Sequence, residues 1–159
     1  MNFFRSLFGS RQQQQEEKPA APKTRSTNIE DIEGIGPAHA EKLKAAEITT
    51  IESLLEKGAT RKGREQIAAT TEISNTLVLE WVNLADLFRI KGIGSEYSDL
   101  LEEAGVDTVK ELAQRNAENL HAKLESINSE KKLVRRTPTL DAVKDWIEQA
   151  KHLPRVVEY

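Results

Sequence analysis

The chain has no cysteine among its 159 residues. That absence excludes disulfide frameworks, thiolate nucleophiles and cysteine-ligated zinc, and it is typical of proteins from a reducing cytoplasm. No apolar run approaches the roughly 18 residues that a membrane span requires. Aromatic residues make up only 5% and hydrophobic residues 38%, so the composition favours a modest hydrophobic core.

The chain also lacks an excess of positive charge. Its net charge of −3 excludes a strongly basic nucleic-acid coat. The charge is uneven, at +3 over residues 1–28, −5 over 29–88 and −1 over 89–159. The part beyond the first 28 residues is therefore acidic.

Signatures of catalysis are missing as well. His39, His121 and His152 are isolated and have no metal-ligand spacing to a carboxylate on the same predicted helix face. There is neither a nucleophile elbow nor a phosphate loop of the Gly-x₄-Gly-Lys-Ser/Thr type. We therefore expect no enzymatic activity, no cofactor, no metal and no small-molecule substrate.

Residues 1–28 are predicted to form a flexible tail, because their Gln-rich and Pro/Ala-rich stretches bury too little surface to offset the entropy of ordering. The exception is the start, residues 1–9, which holds three of the four phenylalanines. Phe3, Phe4, Leu7 and Phe8 fall on one face of a two-turn helix. This segment suits a membrane surface or a groove on a partner, and disorder or folding back onto the domain are the alternatives.

From Asn28 onward the apolar spacing is helical, so we expect an all-α fold. A shift of 58 residues places Ile32–Gly36 on Ile90–Gly94, and a later shift of 65 places Trp81 on Trp146. The difference of seven is most simply an insertion in the basic stretch 129–136. The repeat predicts two units of five helices, at 29–88 and 89–159.

The same plan is predicted for both units. A short apolar lead, counted as the first of the five, ends at a Gly-Ile-Gly turn. Four helices follow, near 37–47, 50–57, 61–71 and 75–88 in the first unit. The second unit repeats them near 95–104, 108–115, 117–127 and 138–152. Trp81 and Trp146 lie on the apolar stripe of the last helix of each unit, so we expect both to pack in the core.

The Gly34-Ile35-Gly36 turn has a chemical consequence. Glycine accepts a positive φ that costs other residues roughly 1–2 kcal/mol, so the two glycines can reverse the chain in a short space. Ile35 is expected to point into the core. The amides near Gly36 then lie bare at a helix N-terminus, which is a favourable place for an anion such as a phosphate.

The segment that begins Gly34-Ile35-Gly36-Pro37-Ala38 resembles the helix-hairpin-helix consensus. Residues 29–153 are similar to tandem helix-hairpin-helix domains of a bacterial family catalogued as domain of unknown function 4332, and each unit resembles the RNA polymerase α C-terminal domain and the N-terminal domain of RecA-type recombinases. The resemblance implies a SAM-like fold. It also implies sequence-independent binding of double-stranded DNA through backbone phosphates, or protein contact where basic residues are lost.

The second hairpin of each unit departs from this pattern. The turn at 71–75 has no glycine and contains an acid, and its counterpart holds the basic insertion with Lys131, Lys132, Arg135 and Arg136. Gripping of both strands by paired hairpins is therefore not expected.

Charge separates the two Gly-Ile-Gly hairpins. Residues 95–105 carry four acids and no lysine or arginine, whereas residues 37–47 are neutral and include Lys42 and Lys44. We expect only the first hairpin to bind nucleic acid, weakly, at the roughly 10⁻⁴–10⁻⁶ M of non-specific complexes. The alternative is a protein–protein adaptor tethered by its Phe-rich start. The predicted interface comprises Gly34, Ile35, Gly36, Pro37, Ala38, Lys42, Lys44, Arg61, Lys62 and Arg64.

Overall fold

The computed structural model describes residues 28–159. This part of the chain is all-helical, which confirms the predicted fold class, and its only β-type pairing is an isolated bridge between Asn28 and Thr50. A 3₁₀ turn at Ile29–Asp31 precedes eight α-helices. They are α1 Pro37–Ala45, α2 Ile51–Gly58, α3 Arg61–Thr71, α4 Asn75–Leu87, α5 Ser95–Glu103, α6 Val109–Ala113, α7 Ala117–Lys131 and α8 Leu140–His152.

The expectations for residues 1–27, including the Phe3–Phe8 face, lie outside the described residues. Within them, the predicted helices form close to their expected bounds, with one difference. Helix α7 continues to Lys131, so the start of the basic insertion is helical, and Asn128 then holds the following loop by hydrogen bonds to both backbone groups of Val134. None of the helices described is long and apolar enough to cross a bilayer.

The helices pack in a similar order in the two halves, 29–88 and 89–159. In the first half α4 packs mainly on α2 and also on α3, and α1 packs on α3. In the second half α8 packs on α6 and α7, and α5 packs on α7. The division of the chain into two repeated units nevertheless stays a prediction.

Helix α4 lies at the centre of the fold. Every residue from Trp81 to Phe88 is buried, so the second half of this helix is covered on all sides rather than along one stripe. A surface helix has a polar face, whereas a helix that is covered all round belongs to a core. The buried residues of both halves accordingly form one continuous cluster.

A buried carboxylate joins the two halves. Asp86, only 3% exposed, accepts a 2.8 Å hydrogen bond from the amide of Val109 at the start of α6. Its other oxygen accepts from Arg89 at 2.9 Å, and Arg89 also donates to the Pro154 carbonyl at 2.8 Å. One acidic side chain of α4 therefore holds the N-terminus of α6 and, through Arg89, the segment that follows α8.

The C-terminal segment, residues 153–159, returns across the first half. The Glu158 amide donates to the Ala59 carbonyl at 2.7 Å, and the Tyr159 hydroxyl donates to the side-chain oxygen of Asn83 at 2.9 Å. Val157, the residue directly before them, is buried. The segment thus connects the last helix to the turn between α2 and α3.

Candidate nucleic-acid interface

The Gly34-Ile35-Gly36 turn has the shape that its sequence predicts, with one correction. Ile35 is buried at 4% exposure, and its amide donates to the Ile32 carbonyl at 3.1 Å. Gly34 has a φ of +97°, but Gly36 has a φ of −88°, which any residue adopts. The positive φ is therefore needed at the first glycine alone.

Gly34 is also fixed by its contact with Trp81. A Cβ atom at Gly34 would lie 3.2 Å from the indole Nε1, which has no hydrogen-bond acceptor within the described residues. The ring of His39 packs against the same indole at a centroid distance of 5.0 Å. Trp81 of α4 thus packs against both the turn and His39 of α1, and so fixes the position of the turn relative to α1.

Gly36 faces open space. It is the N-cap of α1, no side chain caps this helix, and a Cβ atom at Gly36 would have nothing within 4 Å. Pro37 occupies the first helical turn and has no N–H. The donors presented here are therefore the amides of Gly36, Ala38 and His39.

The α-helices within residues 28–159 fall into two groups according to whether a side chain caps their N-terminus. Six α-helices begin at a Ser, Thr or Asn side chain that accepts a first-turn amide, namely α2, α3, α4, α6, α7 and α8. Only α1 and α5, which follow the two Gly-Ile-Gly turns, begin at a glycine without such a cap. Their amides are the ones left for a ligand or for water.

Lys42 and Lys44 do not act as a pair. Both lie in the last turn of α1, and a period of 3.6 residues places them about 200° apart around the helix. Lys44 lies 3.7 Å from the Glu30 carboxylate. Lys42 has no ion-pair partner among the described residues, so it is the cation of α1 that remains available.

Arg64 does not belong to the predicted basic patch. It is buried at 5% exposure, and its guanidinium donates to the carbonyls of Gly58 at 2.8 Å, Ala59 at 3.1 Å and Glu158 at 2.7 Å. Arginine carries five N–H donors in a fixed fork, which suits it to collect carbonyl oxygens that helix ends leave free. Arg64 is thus part of the contact between the α2–α3 turn and the C-terminal segment.

Arg61 and Lys62 are exposed, but Lys62 lies near the far end of α1, and Arg61 lines a different groove with Asn75 and Tyr159. Lys62 lines an open groove of about 550 Å³ with Ala46 and Ile48, which directly follow α1. A nine-residue helix is about 14 Å long. The structure therefore separates Lys62 from the Gly36 amides by roughly the length of α1.

The Gly92-Ile93-Gly94 turn repeats the geometry of the first turn in a different electrostatic setting. Gly92 has a φ of +101°, and Gly94 faces open space. Helix α5, which follows it, carries Glu96, Asp99, Glu102 and Glu103. Lys131 at the end of α7 pairs with Glu103, so the basic insertion neutralises only part of this charge.

Carboxylates from both halves meet near α5. We call Glu33, Glu80, Asp99, Glu102 and Glu103 the junction acidic cluster. Partial burial, followed by the charges of Glu80, Asp99, Asp107 and Glu103, raises the pKa of Glu102 to about 7. Partial burial and then the charges of Glu33 and Glu103 also raise the pKa of Asp99, while Lys131 opposes the change. No group of three or more metal-ligating side chains within residues 28–159 is placed to hold a metal ion.

The raised pKa of Glu102 predicts that stability falls as pH rises. In the unfolded chain the carboxyl ionises near 4.5, whereas in the folded protein it keeps its proton to about 7. The folded state therefore loses stability across this window, by on the order of 1 kcal/mol after allowance for solvent screening. Urea unfolding at pH 5 and pH 8 measures the difference.

The Glu102→Gln variant is expected to weaken this pH dependence and to be more stable than the wild type at pH 8. Glu96→Gln changes an exposed acid of the same helix and is the matched control. An equal loss of pH dependence in the two variants would show that Glu102 is not the group responsible.

Comparison with known proteins places most of these residues in one family. A family model described as Domain of unknown function (DUF4332) matches residues 33–153. Neither the curated proteins nor the solved structures include a significant match. The matched range spans both Gly-Ile-Gly turns and all eight helices.

Proposed function

The chain belongs to the DUF4332 family, and we propose that it is a non-enzymatic, helix-hairpin-helix binding module that contacts nucleic-acid backbone through the Gly34–Gly36 turn. The contact is weak and independent of sequence, because it uses main-chain amides and scattered cations rather than side chains that read bases. The lack of cysteine favours the reducing cytoplasm as its location.

The observation that carries this proposal is the uncapped N-terminus of α1. No side chain caps its amides, and a Cβ atom at Gly36 would have nothing within 4 Å, so there is room for a phosphate oxygen to approach them. Such a helix end contributes about 0.3–1 kcal/mol to an exposed anion. Lys42 adds one free cation, whereas Glu33, the residue directly before Gly34 and a member of the junction acidic cluster, repels an anion. The modest contribution of the helix end and these opposing charges together predict weak binding.

The substitution Gly36→Asp tests this proposal sharply. An aspartate at the N-cap accepts the first-turn amides with its own carboxylate, so it occupies the site and adds a repelling charge while it stabilises the helix. We expect the variant to bind a duplex of about 20 base pairs at least about tenfold more weakly than the wild type, compared at the same salt concentration between 50 and 200 mM. Fluorescence anisotropy measures binding, and urea unfolding should show equal or greater stability.

Gly94→Asp is the matched control. Gly94 is equally uncapped and open, but it precedes the acidic helix α5, so this variant is expected to bind the duplex like the wild type. In a second arm, Lys42→Gln should reduce the dependence of log affinity on log salt by about 0.9. Unchanged binding by Gly36→Asp, or equal losses in the two aspartate variants, would contradict binding at the first turn.

A second candidate function is supported by the junction acidic cluster. Its carboxylates come from α4, α5 and the first turn, and burial with mutual repulsion raises the pKa of Glu102 to about 7. A basic protein surface placed there would relieve this repulsion, which suits an adaptor tethered by residues 1–9. Tighter binding to a basic peptide than to the duplex, lost in an Asp99→Asn, Glu103→Gln variant, would favour the adaptor.

A further inference from the structure

A cavity of about 270 Å³ lies between α6, the end of α8 and the C-terminal segment. It is distant in sequence from the Gly34–Gly36 turn, and the proposed function does not use it. Its volume is just below the roughly 300–1,000 Å³ of most small-molecule sites. The apolar part of its wall is formed by Val109, Ala113, Ala150, Leu153 and Val157.

Cations dominate the charged part of the wall. Arg89, Lys110, Lys151 and Arg155 line the cavity, and Asp86 is the only acid among the lining residues. Both oxygens of Asp86 are already occupied, by Arg89 and by the Val109 amide. The carboxylate therefore offsets the charge of Arg89, and Lys110, Lys151 and Arg155 remain as the excess positive charge of the wall.

Two of these cations are free. Lys110 on α6 and Lys151 on α8 are exposed and have no ion-pair partner among the described residues. Arg155 is partly engaged, since its Nε donates to the Val157 carbonyl at 3.0 Å and its guanidinium lies 6.0 Å from the Tyr159 ring. Lysine ammonium groups beside an apolar wall match a ligand that combines an apolar body with one anionic head.

We propose that this cavity binds a small organic anion. The ligand class is an alkyl or aryl compound with a single carboxylate or phosphate group, whose body packs against Val109, Leu153 and Val157 and whose head pairs with Lys110 and Lys151. Because residues 153–157 form one wall, binding also holds the C-terminal segment against α6 and α8.

The test uses phenyl phosphate as the probe, with phenol and inorganic phosphate as its two separated parts. In ¹H–¹⁵N NMR titrations of the full chain, phenyl phosphate is expected to shift the amides of Val109, Lys110, Arg155 and Val157 in a saturable way. Each part alone should bind at least about fivefold more weakly, because it lacks either the charge or the apolar contact. Inorganic phosphate as tight as phenyl phosphate would overturn the apolar part of the proposal.

The variant Lys110→Gln, Lys151→Gln removes the two free cations, both exposed, without touching the buried Asp86–Arg89 pair. We expect it to weaken phenyl phosphate binding at least about fivefold. Lys91→Gln, Lys123→Gln makes the same change of net charge at exposed positions outside the cavity lining and should bind like the wild type. Wild-type affinity in the first variant, equal losses in both, or no saturable shifts at these amides would overturn the proposal.

Discussion

An Asp86→Ala variant is expected to lose about 3–5 kcal/mol of unfolding free energy. The substitution leaves the Val109 amide without its acceptor at the start of α6 and leaves Arg89, whose side chain is 17% exposed, without its carboxylate. Breaking this ion pair from one side is costly because the Asp86 carboxylate is buried and the remaining guanidinium is still mostly shielded from water. Urea unfolding followed by the fluorescence of the two tryptophans measures the loss.

Two comparisons separate the components of this effect. Asp86→Asn keeps an oxygen acceptor for the Val109 amide but removes the charge that pairs with Arg89, so its loss should be intermediate. Glu65→Ala breaks the ion pair between Glu65 and Arg61, whose side chains are both exposed, at 59% for Glu65 and 78% for Arg61. This substitution should cost less than about 1 kcal/mol of unfolding free energy. An Asp86→Ala protein within 1 kcal/mol of the wild type would show that this carboxylate does not hold the halves together.

The role of Asp86 also shows what the sequence could not reveal. In the sequence it is one of eleven acids in an acidic half, and its spacing on α4 carries no sign of a partner. Its contact with Val109 spans 23 residues, and Arg64 meets Glu158 across 94. Such contacts depend on how the halves pack, and sequence periodicity describes only the local face of one helix. The sequence accordingly predicts Arg64 in a surface patch, whereas the structure buries it.

Local features were predictable for the opposite reason. The N-cap threonines Thr50 and Thr108, Pro37 in the first helical turn and Gly105 at a helix end act through neighbours within four residues. Their geometry is therefore encoded in short stretches of sequence.

The candidate site lies between these two cases. The open amides of the Gly36 turn follow from the local Gly-Ile-Gly-Pro sequence, whereas the pairing of Lys44 with Glu30 and the approach of Glu33 to Asp99 required the structure.

The second glycine of each turn tolerates an alanine, and the first does not. Gly92→Ala is expected to lower the unfolding free energy by about 3 kcal/mol, from the roughly 1–2 kcal/mol of a positive φ and the 1–3 kcal/mol of overpacking. Gly92 has a φ of +101°, and a Cβ there would lie 2.8 Å from the Nε1 atom of Trp146. The indole cannot move aside freely, since it is 3% exposed and the Tyr97 ring packs against it at 5.2 Å.

The two turns provide a graded series for this expectation. Gly34→Ala combines the same kind of φ with a longer contact of 3.2 Å to Trp81, so its loss should be about 2 kcal/mol, smaller than that of Gly92→Ala. Gly94→Ala meets nothing within 4 Å at a negative φ and should cost at most about 1 kcal/mol, as an alanine at an N-cap does. Urea unfolding of the three variants gives the order directly. If Gly94→Ala lowered the unfolding free energy as much as Gly92→Ala, contact with the tryptophan would not explain why glycine is required in the turn. The space at the second glycine could then no longer be interpreted as room for a ligand.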